Sequence, residues 1–160
     1  LSIRRQRQMC IRDRCIIKSE TRGVMILSKR GFMMEQKIQL LTKQAPPPAG
    51  PYSQGIETEQ FVFVSGQRPV DPVTGEMKNG IKSQTEQVIK NVECVLKEAG
   101  CTLADIVRST VYLSDISYFD DMNEVYRAMI PEPFPARSTF GVQLRGILVE
   151  IDVIAKKTEN

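Results

Sequence analysis

From Lys37 to Lys157 the apolar residues follow two spacings, and each spacing predicts one kind of element. Ile38 and Leu40 alternate with polar neighbours, so 37–41 reads as a first strand. Phe61-Val62-Phe63-Val64-Ser65, ended by Gly66, reads as a buried strand. Val88, Ile89, Val92, Val95 and Leu96 then recur at the i, i+3, i+4, i+7 spacing of one helix stripe. Ser83-Gln84-Thr85-Glu86 has the capping-box pattern at its start, and Gly100 is suited to its end. Thr102 to Asp105 opens a short turn. Period two returns at Ile106–Leu113, with Val107, Val111 and Leu113 on one face and Arg108, Thr110 and Tyr112 on the other. Phe119, Met122, Val125, Tyr126 and Met129 form a second helical stripe. A second capping-box pattern, Ser117–Asp120, precedes it, and Pro131 stops it. Pro133 and Pro135 then force an extended approach to a strand that begins near Arg137. In the last strand Ile147, Val149, Ile151 and Val153 share one face; Leu148, Glu150, Asp152 and Ile154 share the other.

The segments between these elements are turn chemistry. Ala45-Pro46-Pro47-Pro48-Ala49-Gly50-Pro51 lacks donors and has fixed φ, so it is a stiff loop leading to Tyr52. Gln67 to Gly75 holds two prolines, an aspartate and a glycine, and predicts no helix. Two strand–helix–strand passes side by side predict one sheet with both helices on the same face. Large aliphatic residues occupy both faces of the last strand, so the face without helices also needs cover. Copies of the same chain supply it most economically, which predicts a closed homo-oligomer.

Composition narrows the chemistry. A chain of 160 residues with 41% hydrophobic content suits one globular domain, and it has no apolar run of membrane-spanning length. It contains no histidine, and its four cysteines include no CxxC pair. Histidine-based zinc sites and Ser-His-Asp or Cys-His catalytic pairs are therefore excluded, and no metal site is expected. The net charge of +3 is unevenly spread. Residues 1–33 hold nine basic and two acidic residues; 34–160 hold thirteen basic and seventeen acidic, a net −4. The domain therefore carries no basic nucleic-acid footprint. Met9-Cys10-Ile11-Arg12-Asp13 resembles the in-frame translation of a sequencing-library adapter. Residues 1–33 are accordingly expected to be a non-native or disordered extension, with the native start at Met33 or Met34 and a single domain over 34–160.

Arg137 opens one predicted strand, and Glu150 interrupts another that is otherwise almost wholly apolar. If those strands are neighbours, the pair either serves one small anionic substrate or forms a buried ion pair that fixes register. The residues alone leave both readings open. Tyr52 lines a cleft or simply packs, Ser65 binds a ligand or is a strand-end hydroxyl, and Asn123 points into a cleft or is solvated. Asp152 shares the Glu150 face and competes with it for any carboxylate role.

Five segments, taken in order, resemble the Rid family (reactive intermediate deaminases, also called YjgF or L-PSP proteins). They are Gly50-Pro51-Tyr52-Ser53-Gln54; Ser65-Gly66-Gln67 with Asp71-Pro72 and Thr74-Gly75-Glu76; Asn123 with Tyr126; Phe134-Pro135-Ala136-Arg137-Ser138; and Val149-Glu150-Ile151. The resemblance covers Met34 to Lys157. It implies a chorismate-mutase-like α+β fold, one mixed sheet with two helices on one face, and a homotrimer whose strands form a central barrel with clefts between subunits. It further implies hydrolysis of enamines and imines such as 2-aminoacrylate to 2-oxo acids and ammonia, in the cytoplasm and without a cofactor. Arg137 would bind the substrate carboxylate and Glu150 would handle the attacking water. Tyr52, Ser65, Asn123 and the backbone N–H of Thr139 would line the substrate. Many family members have cysteine where this chain has Thr139, so a thiol role is lost there and a backbone role survives. The loops Met129–Glu132 and Gln143–Gly146 are short for the family. Expected partners are a small imine with an α-carboxylate and further copies of the chain, with no membrane and no nucleic acid. The alternatives are a non-catalytic metabolite-binding or chaperone-like trimer and a ribonuclease or translation inhibitor. Absent histidine and the −4 domain oppose the latter.

Overall fold

A computed structural model describes the backbone of residues 14–17 and 25–28 and the whole of residues 37–158. Met33 and Met34, the expected native start, lie outside the described residues. The chain divides into two units, Leu1–Gln36 and Lys37–Asn160. In the first, β1 (Arg14–Ile17) pairs antiparallel with β2 (Met25–Ser28), a ladder that the sequence pattern does not predict.

The second unit is one mixed sheet with two helices. Its strands are β3 (Ile38–Leu40), β4 (Gly55–Glu57), β5 (Phe61–Gln67), β6 (Ile106–Leu113), β7 (Ala136–Gly141) and β8 (Val149–Lys156). Their order across the sheet is β3-β4-β5-β8-β6-β7, with β6–β7 the parallel pair. Helices α1 (Ile81–Lys97) and α2 (Phe119–Met129) pack on each other, and α1 lies over β5 and β8. The predicted α+β arrangement is the one found. β4 is an addition that the sequence pattern missed, because Ile56 is its one large apolar residue and no alternation marks it.

The core is where the two periodicities meet. Val88, Ile89, Val92, Val95 and Leu96 of α1 are buried against Val62 and Val64 of β5 and Val149, Ile151, Val153 and Ala155 of β8. Each fully buried side chain of this size contributes on the order of 1.5–3 kcal/mol by leaving water. β6 departs from its predicted alternation. A register shift between Ile106 and Arg108 turns Ile106 into the core and leaves Val107 exposed.

Both helix starts also differ from expectation. α1 begins at Ile81, so Ser83 lies inside its first turn, and Gly80 supplies no side-chain cap. α2 follows a 3₁₀ turn at Ile116–Tyr118, whose cap is Asp115 accepting from the Ser117 N–H. A true capping box occurs instead at Thr102 and Asp105, where no long helix follows. The box spacing alone does not reveal which turn the backbone will close. Gly100 does take a positive φ of 71° just beyond α1.

The helix-free face of the sheet is only partly apolar and only partly covered. Phe63 and Phe140 on it are 42% and 50% exposed, and Tyr112 stacks on Phe140 with ring centroids 6.4 Å apart. Glu150, Asp152 and Ile154 lie between them, half-buried.

Candidate functional site

β6 separates the strands that carry Arg137 and Glu150, so the expectation that those strands are neighbours is corrected. Pairing sets Arg137 opposite Ser109 and Glu150 opposite Tyr112. Ser109 is buried on the helix side; Tyr112 is on the other. Alternation therefore sends Arg137 and Glu150 to opposite faces. No ion pair joins them within the chain, and the register-fixing salt bridge is also corrected.

The Arg137 side is built by β7 and α2. The guanidinium donates from Nη2 to Asn123 Oδ1 at 2.6 Å. It lies 4.6 Å from the centre of the Tyr126 ring and 5.8 Å from that of Phe119. Asn123 and Tyr126 reach it because they are three apart on one helix face. Tyr126 is held in turn, its hydroxyl 2.7 Å from the buried Ser109 Oγ, and burial pushes its phenol above the ordinary range. Among the described residues no carboxylate stands within ion-pair distance of Arg137. The guanidinium borders an open cavity of about 350 Å³ lined by Asn123, Tyr126, Arg127, Phe134, Pro135 and Arg137. This is a preorganised cation with an apolar floor and spare donors, suited to a small carboxylate. Thr139 shares the Arg137 face, opposite Val111. Because β7 is the sheet edge, part of its backbone is free to bond a ligand.

The Glu150 side is built by β8 and the end of β5. The carboxylate lies against Gly66, where even a Cβ would overlap it. A register shift between Val64 and Gln67 creates this space by adding a residue to β5. Burial pushes the Glu150 carboxyl above the ordinary range; nearby Arg68 opposes the rise and Asp152 adds to it. Ser65 adjoins Gly66. Its hydroxyl donates to the Ser53 carbonyl at 2.7 Å, so only its lone pairs remain for a ligand. Tyr52 follows on from this contact, 45% exposed, with its hydroxyl accepting from the Ala49 N–H and its own proton free to donate.

The six residues expected to form one site thus fall into two groups. Arg137, Asn123 and Thr139 share one face and Glu150 and Ser65 the other, while Tyr52 stands on the loop whose Ser53 carbonyl the Ser65 hydroxyl holds. Sequence reasoning gave no site role to Phe119, Phe134 or Tyr126. Apolar spacing marked Phe119 and Tyr126 as helix packing, and only the fold shows that they form an aromatic floor beneath a cation. It also missed the purpose of Gln54. This wholly buried side chain accepts from the Thr42 N–H and donates to the carbonyls of Thr42, Ala45 and Pro46, which fixes the proline loop ahead of Tyr52.

Among the described residues no cluster of three or more His, Cys, Asp or Glu could hold a metal ion, and no helix is long and apolar enough to cross a membrane. A family model described as endoribonuclease L-PSP matches residues 42–157. A RutC family protein of Pyrococcus abyssi is 47% identical over 121 residues, covering 74% of this chain and 95% of its own. The human 2-iminobutanoate/2-iminopropanoate deaminase is 36% identical over 117 residues, covering 71% of this chain and 85% of its own. The crystal structure of Escherichia coli TdcF with bound serine superimposes with a TM-score of 0.73 at 34% identity, covering 76% of this chain and all of that one.

Proposed function

The chain belongs to the endoribonuclease L-PSP family, which includes the Rid proteins, and from that membership and the two half-sites we propose that it is a hydrolytic imine deaminase. Its substrates are small imines and enamines with an α-carboxylate, such as 2-aminoacrylate and 2-iminopropanoate, and its products are 2-oxo acids and ammonia. The observation that carries this reading is Arg137: a fixed guanidinium without a carboxylate partner, facing a cavity of small-molecule size. The human relative's name states this reaction, and the E. coli relative holds an amino acid with the same α-carboxylate.

Arg137 takes the carboxylate through two parallel N–H donors, each worth about 1.5–3 kcal/mol when desolvated. 2-Aminoacrylate tautomerises to the imine without help. Water then adds to the C=N carbon of the protonated imine: the C–O bond forms, the C=N π electrons go to nitrogen, and Glu150 takes the water proton to leave a neutral carbinolamine. Glu150 gives that proton to the nitrogen and then takes the hydroxyl proton as the C–N bond breaks, releasing ammonia and the 2-oxo acid and passing the proton to solvent. Burial suits Glu150 to both steps by drawing its proton affinity towards neutrality. Tyr52, Ser65, Asn123 and the Thr139 N–H orient the substrate, and the residues need no cofactor for this sequence.

Because the two groups face opposite sides of one sheet, a complete site needs two copies. The half-exposed aromatic face supplies the reason to associate. The proposed assembly is a homotrimer with this face around a central barrel and a cleft at each interface, one copy giving Arg137 and its neighbour Glu150.

The test generates 2-aminoacrylate in place with a serine or cysteine lyase and follows its decay with and without residues 34–160. Faster conversion to pyruvate and ammonia, lost in Arg137→Ala, supports the reading; decay at the rate of water alone ends it for this substrate. The separation of Arg137 and Glu150 within one chain favours one rival, a binding module. Retained binding of a 2-oxo acid without turnover would select that rival.

A further inference from the structure

Arg68 has no role in the site described so far, yet it stands beside the group on which the chemistry depends. β5 and β8 pair as far as Gln67 with Ile151, and Arg68 and Glu150 are the next residues on from that pair. β5 ends at Gln67, so Arg68 is placed by other means. The wholly buried Asn91 of α1 donates to the Arg68 carbonyl at 2.8 Å and to the Val70 carbonyl at 3.0 Å. Asn91 is itself oriented by Gln87, whose Nε2 donates to Asn91 Oδ1 at 2.9 Å. A buried amide pair on the helix thus fixes the backbone of a half-buried arginine at the mouth of the Glu150 side. Among the described residues Arg68 makes no ion pair within 4 Å, so its charge is not spent on another carboxylate.

The other groups facing Glu150 push the opposite way. Asp152, two residues along the same strand face, repels it, and Tyr112 across β6 is a neutral phenol held protonated by burial and by Asp152. Arg108, further along β6, is bonded to Ser138. Arg68 is the cation left to offset both burial and Asp152.

We infer that Arg68 is a positioning residue for Glu150: its guanidinium acts through space to keep that carboxylate charged where it lies over Gly66, the place where water is activated. This rests on the water-handling role given to Glu150. Without Arg68, Glu150 holds its proton to higher pH and the base form is lost first on the acid side.

The experiment uses wild type, Arg68→Gln and Arg68→Lys in the full chain, with two readouts. One is the titration of the Glu150 side-chain carboxyl by ¹³C NMR; the other is the pH profile of kcat/KM for 2-aminoacrylate. The expected result is a Glu150 titration and an acid limb both displaced to higher pH in the glutamine variant, with a several-fold loss of kcat/KM at the acid end, and both largely restored by lysine. An unmoved Glu150 titration in Arg68→Gln overturns the inference, whatever the activity. A moved titration with an unmoved acid limb also overturns it, since the charge would then not matter to turnover. If wild type has no deaminase activity, the functional reading falls, and the NMR titration alone still decides whether Arg68 governs Glu150.

Discussion

Arg137 and Glu150 sit on the same sheet, but their surroundings differ in kind. Arg137 has a hydrogen-bond partner in Asn123 and two aromatic rings beneath it, all from one short helix. Glu150 has a missing side chain at Gly66, a nearby cation at Arg68 that does not bond it and a repelling neighbour at Asp152. The first is arranged to be complete before a ligand arrives; the second is left poised, with a proton affinity shifted by its setting. Binding benefits from the former because the entropy of ordering is met during folding. Proton transfer benefits from the latter, because a fully paired carboxylate is a poor base.

Five measurements would break or sharpen this contrast. The largest effect is expected from Arg137→Ala, which removes two charge-assisted bonds and lowers kcat/KM about a thousandfold; a loss under tenfold would deny Arg137 the role of anchor. Glu150→Gln comes next, with kcat lower by about a hundredfold while a 2-oxo acid still binds. The same variant reads out stability. A folded carboxyl whose affinity is raised costs stability once it must ionise, so the cost is absent below the ordinary carboxylate range and appears as pH rises through the shifted value. Glu150→Gln should therefore melt higher than wild type at neutral pH and gain nothing at low pH, checked by thermal denaturation across pH.

Gly66→Ala should push Glu150 aside and lower kcat about tenfold without weakening 2-oxo acid binding. If binding fell and kcat held, the two sides would not be divided as described. The smallest departure from wild type is expected from a mixture. Co-refolding inactive Arg137→Ala with inactive Glu150→Gln should restore about a quarter of the sites, the fraction in which a random neighbour pair supplies both groups. A site within one chain would regain nothing, because every chain lacks one member.

How much of this could be read along the chain depends on the range of the physics involved. Both helices, and the strands β5, β6 and β8, are written in local periodicity, since burying a stripe or a face requires that spacing. The motifs around Tyr52, Ser65, Asn123, Arg137 and Glu150 identified the residues worth examining. β4 was not legible because Gly55-Ile56-Glu57 holds a single large apolar residue and so shows no alternation. Val107 was misplaced because a bulge leaves no mark in a pattern of apolar residues, and the capping boxes were misplaced because their spacing recurs at turns that close differently.

The sequence by itself determined which side chains exist to do chemistry: one arginine after a proline pair, one glutamate in an apolar strand, and no histidine to compete with them. Tertiary structure alone decided that these two face apart. The facing of a strand residue depends on which strand lies beside it and in what register, and inserting β6 between β8 and β7 is a long-range pairing outcome that no local spacing encodes. The same holds for Arg68, which a register shift in β5 and a helix amide bring near Glu150, rather than any pattern along the chain.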